Sequence, residues 1–241
     1  MKAKLLSAAV AAMLGFFANG AFAQDSEQEE EAKSPLVTTL TFASDYRFRG
    51  ISQNANNPVF QFASTYYTES GVYLGISGSN VDFGDAVGAN VEIDLYAGWT
   101  GELSDGLTAD VQAVYYGYPG DDIASAYTEL VGKLSYSGFT GLIGYSNDVF
   151  NTSETGIYYN VGYSLLIADE FNVSAALGYY DLDDPTAAGF GGGIVDKSIG
   201  VSRAFGPLTV GISYIDTNGA FENVYGEIND SQFVFTMAAT F

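Results

Sequence analysis

The sequence predicts an all-β protein, a transmembrane antiparallel up-and-down β-barrel of about twelve strands with short periplasmic turns and longer extracellular loops. Three observations predict it. Runs of about 9 to 11 residues, the length that crosses a bilayer as a tilted strand, alternate apolar and polar side chains with a period of two. The connections between these runs are short and long by turns. The last stretch, QFVFTMAATF at 232–241, places Phe233, Phe235, Met237, Ala239 and Phe241 on one face and Gln232, Val234, Thr236, Ala238 and Thr240 on the other. In an outer-membrane barrel the final strand closes the sheet and its terminal aromatic sits in the interfacial girdle, so Phe233, Phe235, Met237 and Phe241 are the candidate closure residues. Such an ending is also the usual signal read by barrel-assembly machinery, a general property of these barrels that the spacing itself does not show. The competing reading of this stretch is the last strand of a soluble sandwich.

The first residues set the compartment. Lys2 and Lys4 precede an apolar stretch over 5–17, and Ala21-Phe22-Ala23 offers the small-x-small pattern of a cleavage site, which predicts a signal peptide over 1–23 cut before Gln24. The apolar stretch is shorter than the roughly 20 residues a helical span needs, and no later stretch approaches that length, so membrane residence has to be by strands. Residues 24–35 crowd Asp25, Glu27, Glu29, Glu30 and Glu31 with no apolar partners, the composition of a solvated leader that does not fold alone and here lies in the periplasm. The barrel then takes residues 36–241.

Composition narrows the chemistry. The chain carries 8 basic and 29 acidic residues, a net charge of −21, and loss of Lys2 and Lys4 with the signal makes the mature chain more acidic still. That balance excludes a nucleic-acid partner. Cysteine and histidine are both absent. Disulfides, thiolate metal sites, Ser-His and Cys-His nucleophiles and histidine bases go with them, so neither an enzyme, a cofactor nor a metal is expected, although carboxylate chemistry is not formally excluded. The 18 Tyr, 17 Phe and 29 Gly, with 15% charged residues, suit a sheet whose outside meets lipid and whose inside holds small polar groups.

Taken in order, the first strand starts at Leu36 and runs through Phe48, with Leu40, Phe42, Tyr46 and Phe48 opposed to Thr39, Thr41, Asp45 and Arg47 and a single break at Ser44. Phe60, Phe62 and Tyr66 alternate with Gln61, Ala63 and Thr65, and Val72, Leu74 and Ile76 with Tyr73, Gly75 and Ser77. Val91, Ile93, Leu95 and Trp99 oppose Glu92, Asp94, Tyr96 and Thr100, which is the cleanest amphipathic strand. Leu107, Ala109, Val111, Ala113 and Tyr115 then oppose Asp110, Gln112 and Tyr116, followed by Leu130, Leu134 and Tyr136 against Glu129, Lys133 and Ser135. Phe139, Ile143 and Tyr145 face away from Thr140, Gly144 and Ser146. Two long runs follow, over 157–165 and 171–179, whose opposing faces carry Tyr158 together with Ser, Asn and Gly. The run 197–205 puts Lys197 and Arg203 on the face of Ile199 and Val201, so both cations must reach the interfaces by snorkelling. A run at 208–216 precedes the terminal strand.

The connections discriminate between architectures. Those at 68–71, 101–106, 137–138, 167–170 and 206–207 are short, whereas 50–57, 80–88, 119–125, 147–155, 181–194 and 217–231 are mostly longer. Short turns on one rim and long loops on the other, with both termini on the short side, is the asymmetry of an outer-membrane barrel. Greek-key crossings in a sandwich give no reason for it.

The run TFASDYRFRGISQ at 41–53, the following NPVFQFASTYY, then SGVYLGISGSNVDFG and EIDLYAGWTGEL resemble the TorF family of porins, also described as a Gcw-type conserved hypothetical outer-membrane protein family of proteobacteria. The resemblance spans essentially the whole mature chain and is most specific at Ser44-Asp45-Tyr46-Arg47-Phe48-Arg49-Gly50. It implies an outer-membrane barrel acting as a porin. One departure is Gly78, where the family often has an aromatic before Ser-Asn-Val, which puts a girdle contact at that position in doubt.

If the apolar faces meet lipid, the pore-lining candidates are Asp45, Arg47, Arg49, Glu92, Asp94, Asp110, Gln112, Glu129 and Lys133, all from the first six strands. Arg47 and Arg49 are expected across from carboxylates such as Glu92 and Asp94, setting a transverse field in a constriction. The alternative is that these groups form a salt-bridged plug in a barrel too narrow to conduct. The outer loops are acidic, with Asp82, Asp85, Asp121, Asp122, Asp148, Glu154, Asp181, Asp183, Asp184, Glu222, Glu227 and Asp230, which predicts a weak cation preference. Competing readings of these carboxylates are divalent ions shared with lipopolysaccharide phosphates and plain solubility. The Gly-rich run 188–193 lacks the residues of a phosphate loop. The expected function is passive diffusion of small hydrophilic solutes or ions; the alternative is a non-conducting structural or surface-interaction barrel. Expected partners are outer-membrane lipid, lipopolysaccharide and barrel-assembly machinery, with monomer against homo-oligomer left open.

Overall fold

In the amphipathic runs one face is more exposed than the other, because a strand turns successive side chains to opposite sides. The computed structural model describes residues 34–83, 88–120, 126–184, 193–218, 228 and 230–241. The predicted signal peptide, the acidic leader up to residue 33, Asp85, Asp121, Asp122, Glu222, Glu227 and residues 188–192 lie outside the described residues. Twelve strands close into a barrel: β1 (Leu36–Ala43), β4 (Val59–Tyr67), β5 (Val72–Asn80), β6 (Val91–Ser104), β7 (Leu107–Gly117), β8 (Tyr127–Tyr136), β9 (Phe139–Ser146), β10 (Gly156–Ile167), β11 (Phe171–Leu182), β12 (Ile194–Phe205), β13 (Leu208–Thr217) and β14 (Gln232–Thr240). Each pairs antiparallel with its neighbours in the sequence, as in an up-and-down meander.

The two ends of the chain close the ring. Thr39 pairs with Thr240, Phe42 with Met237 and Ala43 with Thr236. Phe241 extends the seam, its carbonyl accepting from the Thr38 amide at 3.0 Å and its amide donating to the Thr38 carbonyl at 2.9 Å. Closure satisfies the backbone groups that an open edge would leave without partners in hydrocarbon. The tight turns at one rim include Ser137-Gly138 and Gly206-Pro207, with Ser137, Gly138 and Gly206 at positive φ.

The outer wall is apolar and banded. Tyr66, Trp99, Tyr136, Phe139, Phe171, Phe205 and Phe241 are exposed near the turn rim, and Phe60, Tyr145, Tyr159, Tyr179, Tyr214 and Phe233 near the loop rim. Leu74, Leu95, Val111, Val161, Ile199 and Ile212 are exposed between them. Two aromatic girdles around an aliphatic band is the outside of a barrel that meets lipid. The cations of β12 sit near its ends: Lys197 pairs with Asp216 at 2.7 Å, and Arg203 pairs with Glu170 at 3.0 Å while lying over the rings of Phe171 and Phe205. At Gly78 the missing side chain is replaced by a neighbour. The Phe62 ring of the adjacent strand lies where a Gly78 Cβ would point, 2.6 Å from it, so the wall stays filled.

One strand departs from expectation. β1 ends at Ala43 instead of continuing to Phe48; Ser44 still bonds the wall, its amide donating to the Phe235 carbonyl at 2.9 Å, and the chain leaves the wall from Asp45. Beyond that point β2 (Arg47–Phe48) and β3 (Ile51–Ser52) form a small separate hairpin. Tyr46 and Phe48, expected on the outer face, are 2% and 8% exposed. The alternation that suggested a longer wall strand belongs to this hairpin, which has the same period of two but lies inside the barrel.

Candidate functional site

The hairpin turns at Arg49 and Gly50, both at positive φ (51° and 83°). A two-residue turn of this kind favours Asn or Gly at both positions, and an arginine there costs roughly 1–3 kcal/mol of backbone strain. The side chain shows what holds it. Arg49 Nη2 donates to Glu129 Oε1 on β8, and its guanidinium lies 4.3 Å from the ring centres of Tyr158 on β10 and Tyr180 on β11 and 4.6 Å from Phe48. A cation stacked on ring faces and paired with a carboxylate is held by the ring quadrupoles and by charge together, both strengthened where water is excluded.

The rest of the hairpin is anchored in other directions. Arg47 pairs with Asp45 and donates to the carbonyls of Gly50 (3.0 Å) and Ile228 (2.9 Å) and to Asn56 Oδ1 (2.7 Å). Ser52 Oγ donates to Asp45 Oδ1 at 2.6 Å. Tyr46 Oη donates to Glu92 Oε1 on β6 at 2.8 Å, and Phe48 meets the Tyr116 ring of β7 edge-on at 5.8 Å. Gly50 comes so close to β12 and β13 that an added Cβ would lie 2.8 Å from Asp196 Cβ and 2.9 Å from Thr217 Cβ. Ile51 packs with Val149, Tyr158, Tyr180, Leu182 and Ile194. The hairpin therefore spans the barrel from β1 to the opposite wall.

The expected transverse field is not what the residues form. Arg47 and Arg49 do not face Glu92 and Asp94 across an open lumen; they pair with Asp45 and Glu129, and Glu92 takes its hydrogen bond from Tyr46. The reason is the end of β1 at Ala43, which carries the Asp45–Arg49 segment off the wall and into the interior. Asp45 is held within the hairpin segment itself, by Ser52 and Arg47.

The other candidates stay on wall strands, with Glu92, Asp94, Asp110, Gln112 and Glu129 buried and Lys133 half-buried. Glu92 and Asp94 are each 2% exposed, and Asp94 Oδ2 accepts from Ser77 at 3.0 Å. Asp110 accepts from Tyr73 Oη at 2.9 Å and stands directly opposite Lys133 across β7 and β8. The same hydroxyl lies 3.3 Å from Gln112 Oε1. Glu129 is fully buried and also lies 3.4 Å from Tyr116 Oη. Among the described residues no cluster of three or more carboxylates is placed to share a metal ion.

Period-two parity already places Tyr73, Tyr96, Tyr116 and Tyr158 inward, and the structure buries all four; what residue-by-residue reading missed is the contacts they make, and Asp196. Asp196 is 1% exposed and accepts from Tyr158 Oη at 3.0 Å. Starting that strand at Lys197 hid it, although the parity of Ser198 and Ser202 already places it inside. Tyr73 and Tyr96 lie over glycines: a Cβ at Gly98 would be 2.6 Å from the Tyr73 ring and one at Gly75 2.3 Å from the Tyr96 ring.

These contacts divide the interior. Towards the loop rim it is packed, with Ser146, Tyr158, Tyr180, Leu182 and Ile194 buried beside the hairpin. Towards the turn rim, the inner faces of β9, β10 and β11 present Thr140, Asn160, Gly162, Ser164 and Ala176, all partly solvent-exposed. These small side chains with water access on the inside of a closed wall make a vestibule along β9 and β10, bounded by the buried Asn172 and Ser174 of β11, that ends beneath the Arg49 cage, where Asn160 Nδ2 donates to Tyr158 Oη at 3.1 Å.

A family model described as a bacterial protein of unknown function (Gcw_chp) matches residues 28–241. Among solved structures the chain is similar to the NanC porin, with a TM-score of 0.55 and 11% identity over 86% of this chain and 98% of that one. It is similar as well to the KdgM porin, with a TM-score of 0.52 and 7% identity over 85% of this chain and 98% of that one. At those identities the likeness is one of fold: a porin-like barrel. No curated protein matches in sequence.

Proposed function

Because the chain belongs to the Gcw_chp family of bacterial proteins of unknown function, whose description names no activity, we propose that it is an outer-membrane porin that lets small hydrophilic solutes or ions diffuse passively. The observation that carries this reading is the water-accessible, small-residue vestibule inside a closed wall, ending at a hairpin that narrows the lumen. The porin-like fold and the banded outer surface support the membrane assignment, and the TorF resemblance read from the residues supports the porin assignment. The mechanism needs no bond making. A solute enters the vestibule, exchanges water for the hydroxyls and amides of its wall, and passes where the hairpin leaves room, with Glu92, Asp94, Asp110, Gln112, Glu129 and Lys133 on the wall and Asp45, Arg47 and Arg49 on the hairpin setting the local field. The acidic loop rim, including Asp148, Glu154, Asp183 and Asp184, gives the channel a weak preference for cations.

A second reading, a structural barrel without transport, is favoured by one observation, the contact of the hairpin with walls on both sides. Planar-bilayer recordings separate the two. The refolded protein is expected to show small single-channel currents, and a variant with residues 45–54 replaced by a short Gly-Ser link is expected to show currents several-fold larger. No current above the lipid baseline in either protein would defeat the porin reading.

A further inference from the structure

Arg49 is an arginine at a turn position that disfavours it, and its side chain fills a cage built by residues remote in the sequence. Tyr158 and Tyr180 each offer a ring face 4.3 Å from the guanidinium carbon, Glu129 supplies the counter-charge, and Asp196 holds the Tyr158 hydroxyl. Gly144 leaves the room: a Cβ there would lie 2.9 Å from Glu129 Oε1 and 3.1 Å from Arg49 Nη2. The wall of the barrel thus holds two buried carboxylates and two ring faces, and the cation that completes them comes from the two-residue turn of the inward hairpin. Without that cation Glu129 would be a buried charge with no ionic partner, a state that draws in another cation. The fit of the cage is known from its occupant: a planar, delocalised cation on an alkyl stem, which satisfies ring faces and a carboxylate at once. The floor of the cage meets the vestibule at Asn160, so a solute that has entered the barrel reaches it without leaving the lumen.

We propose that the Glu129, Tyr158 and Tyr180 cage is a binding site for guanidinium-bearing solutes, which Arg49 fills as a tethered stand-in and vacates when the hairpin tip withdraws. This rests on the reading of the barrel as a solute channel and names the class of solute it selects. Arg49 is then both plug and competitor, and a solute of the right class is admitted by replacing it.

The test uses the full mature chain refolded in detergent micelles and ethylguanidinium as the probe. R49G removes the side chain and keeps a residue that accepts the left-handed turn. Calorimetric titration is expected to give saturable one-to-one binding to R49G, at least ten-fold weaker binding to the wild type, and loss of binding in R49G/E129Q. Equal binding to R49G and R49G/E129Q, or none to R49G, overturns the proposal. If R49G fails to give the heat-modifiable gel shift of a folded barrel, ethylguanidinium in the refolding buffer is expected to restore the shift where the neutral planar analogue ethylurea does not; no difference between the two overturns the proposal as well. The titration reads the cage in micelles whether or not the barrel conducts, so its failure is distinct from the absence of current in bilayers.

Discussion

Arg49 joins the hairpin to three wall strands, through Glu129 on β8, Tyr158 on β10 and Tyr180 on β11. Replacing it by alanine leaves Glu129 buried without its ion pair, a change that costs about 3–5 kcal/mol. Arg49→Ala should therefore lower the urea midpoint of micelle-bound barrel followed by tyrosine fluorescence, and Arg49→Ala with Glu129→Gln should recover much of the loss because the stranded charge is gone. Two glycines give a contrast of a different kind. At Gly98 a Cβ would lie 2.5 Å from the Val111 carbonyl and 2.6 Å from the Tyr73 ring, whereas at Gly141 it would meet nothing within 4 Å. Gly98→Ala should destabilise by about 1–3 kcal/mol through overpacking, and Gly141→Ala should stay within about 0.5 kcal/mol, both read from the same unfolding curves. The sequence places Arg49 correctly in the interior but not its partner. Period-two parity says which face a residue occupies, and nothing in it connects Arg49 to a carboxylate 80 residues away.

The two ends of β1 show how far an element can be read alone. At its start, the pairing with β14 follows from the alternation of 232–241 and from the rule that a membrane barrel leaves no edge open. At its end the same alternation misleads, because Arg47, Phe48, Ile51 and Ser52 form a hairpin whose side chains also alternate. What sends that hairpin inward is the sharp turn at Arg49 and Gly50 together with the space that Gly50 itself leaves against Asp196 and Thr217. Phe241 belongs to this scale too. Its two backbone hydrogen bonds to Thr38 complete the seam, and its ring is exposed on the lipid side. Deletion of Phe241 should lower the yield of heat-modifiable barrel in the outer membrane while the unit conductance of what assembles stays unchanged. An unimpaired yield would count against an assembly role for the terminus.

At the scale of the whole molecule, the outside and the inside answer to different constraints. The outside must meet lipid everywhere, so every strand repeats one pattern, and the girdles and the aliphatic band emerge from residues that need not touch one another. The inside must be filled or wetted: it is filled at the loop rim, and towards the turn rim it is wetted on the side of β9 and β10 while Tyr67, Tyr73, Asp110 and Gln112 are buried on the other. The acidic loops act over distance. Their field should give a reversal potential on the cation side in a salt gradient, and this preference should shrink as ionic strength rises from about 0.1 M to 1 M, where the Debye length falls from about 10 Å to 3 Å. A preference unchanged by salt would place selectivity at the buried groups instead. The sequence by itself determined the barrel, its strand number, the short and long rims and the inward or outward sense of most wall residues, because each of these follows from local periodicity and from the solvent on each face. Only the tertiary structure decided what lies in the lumen. The inward hairpin, the Arg49 cage and the one-sided vestibule depend on contacts between segments far apart in the chain, and packing of that kind leaves no period to read.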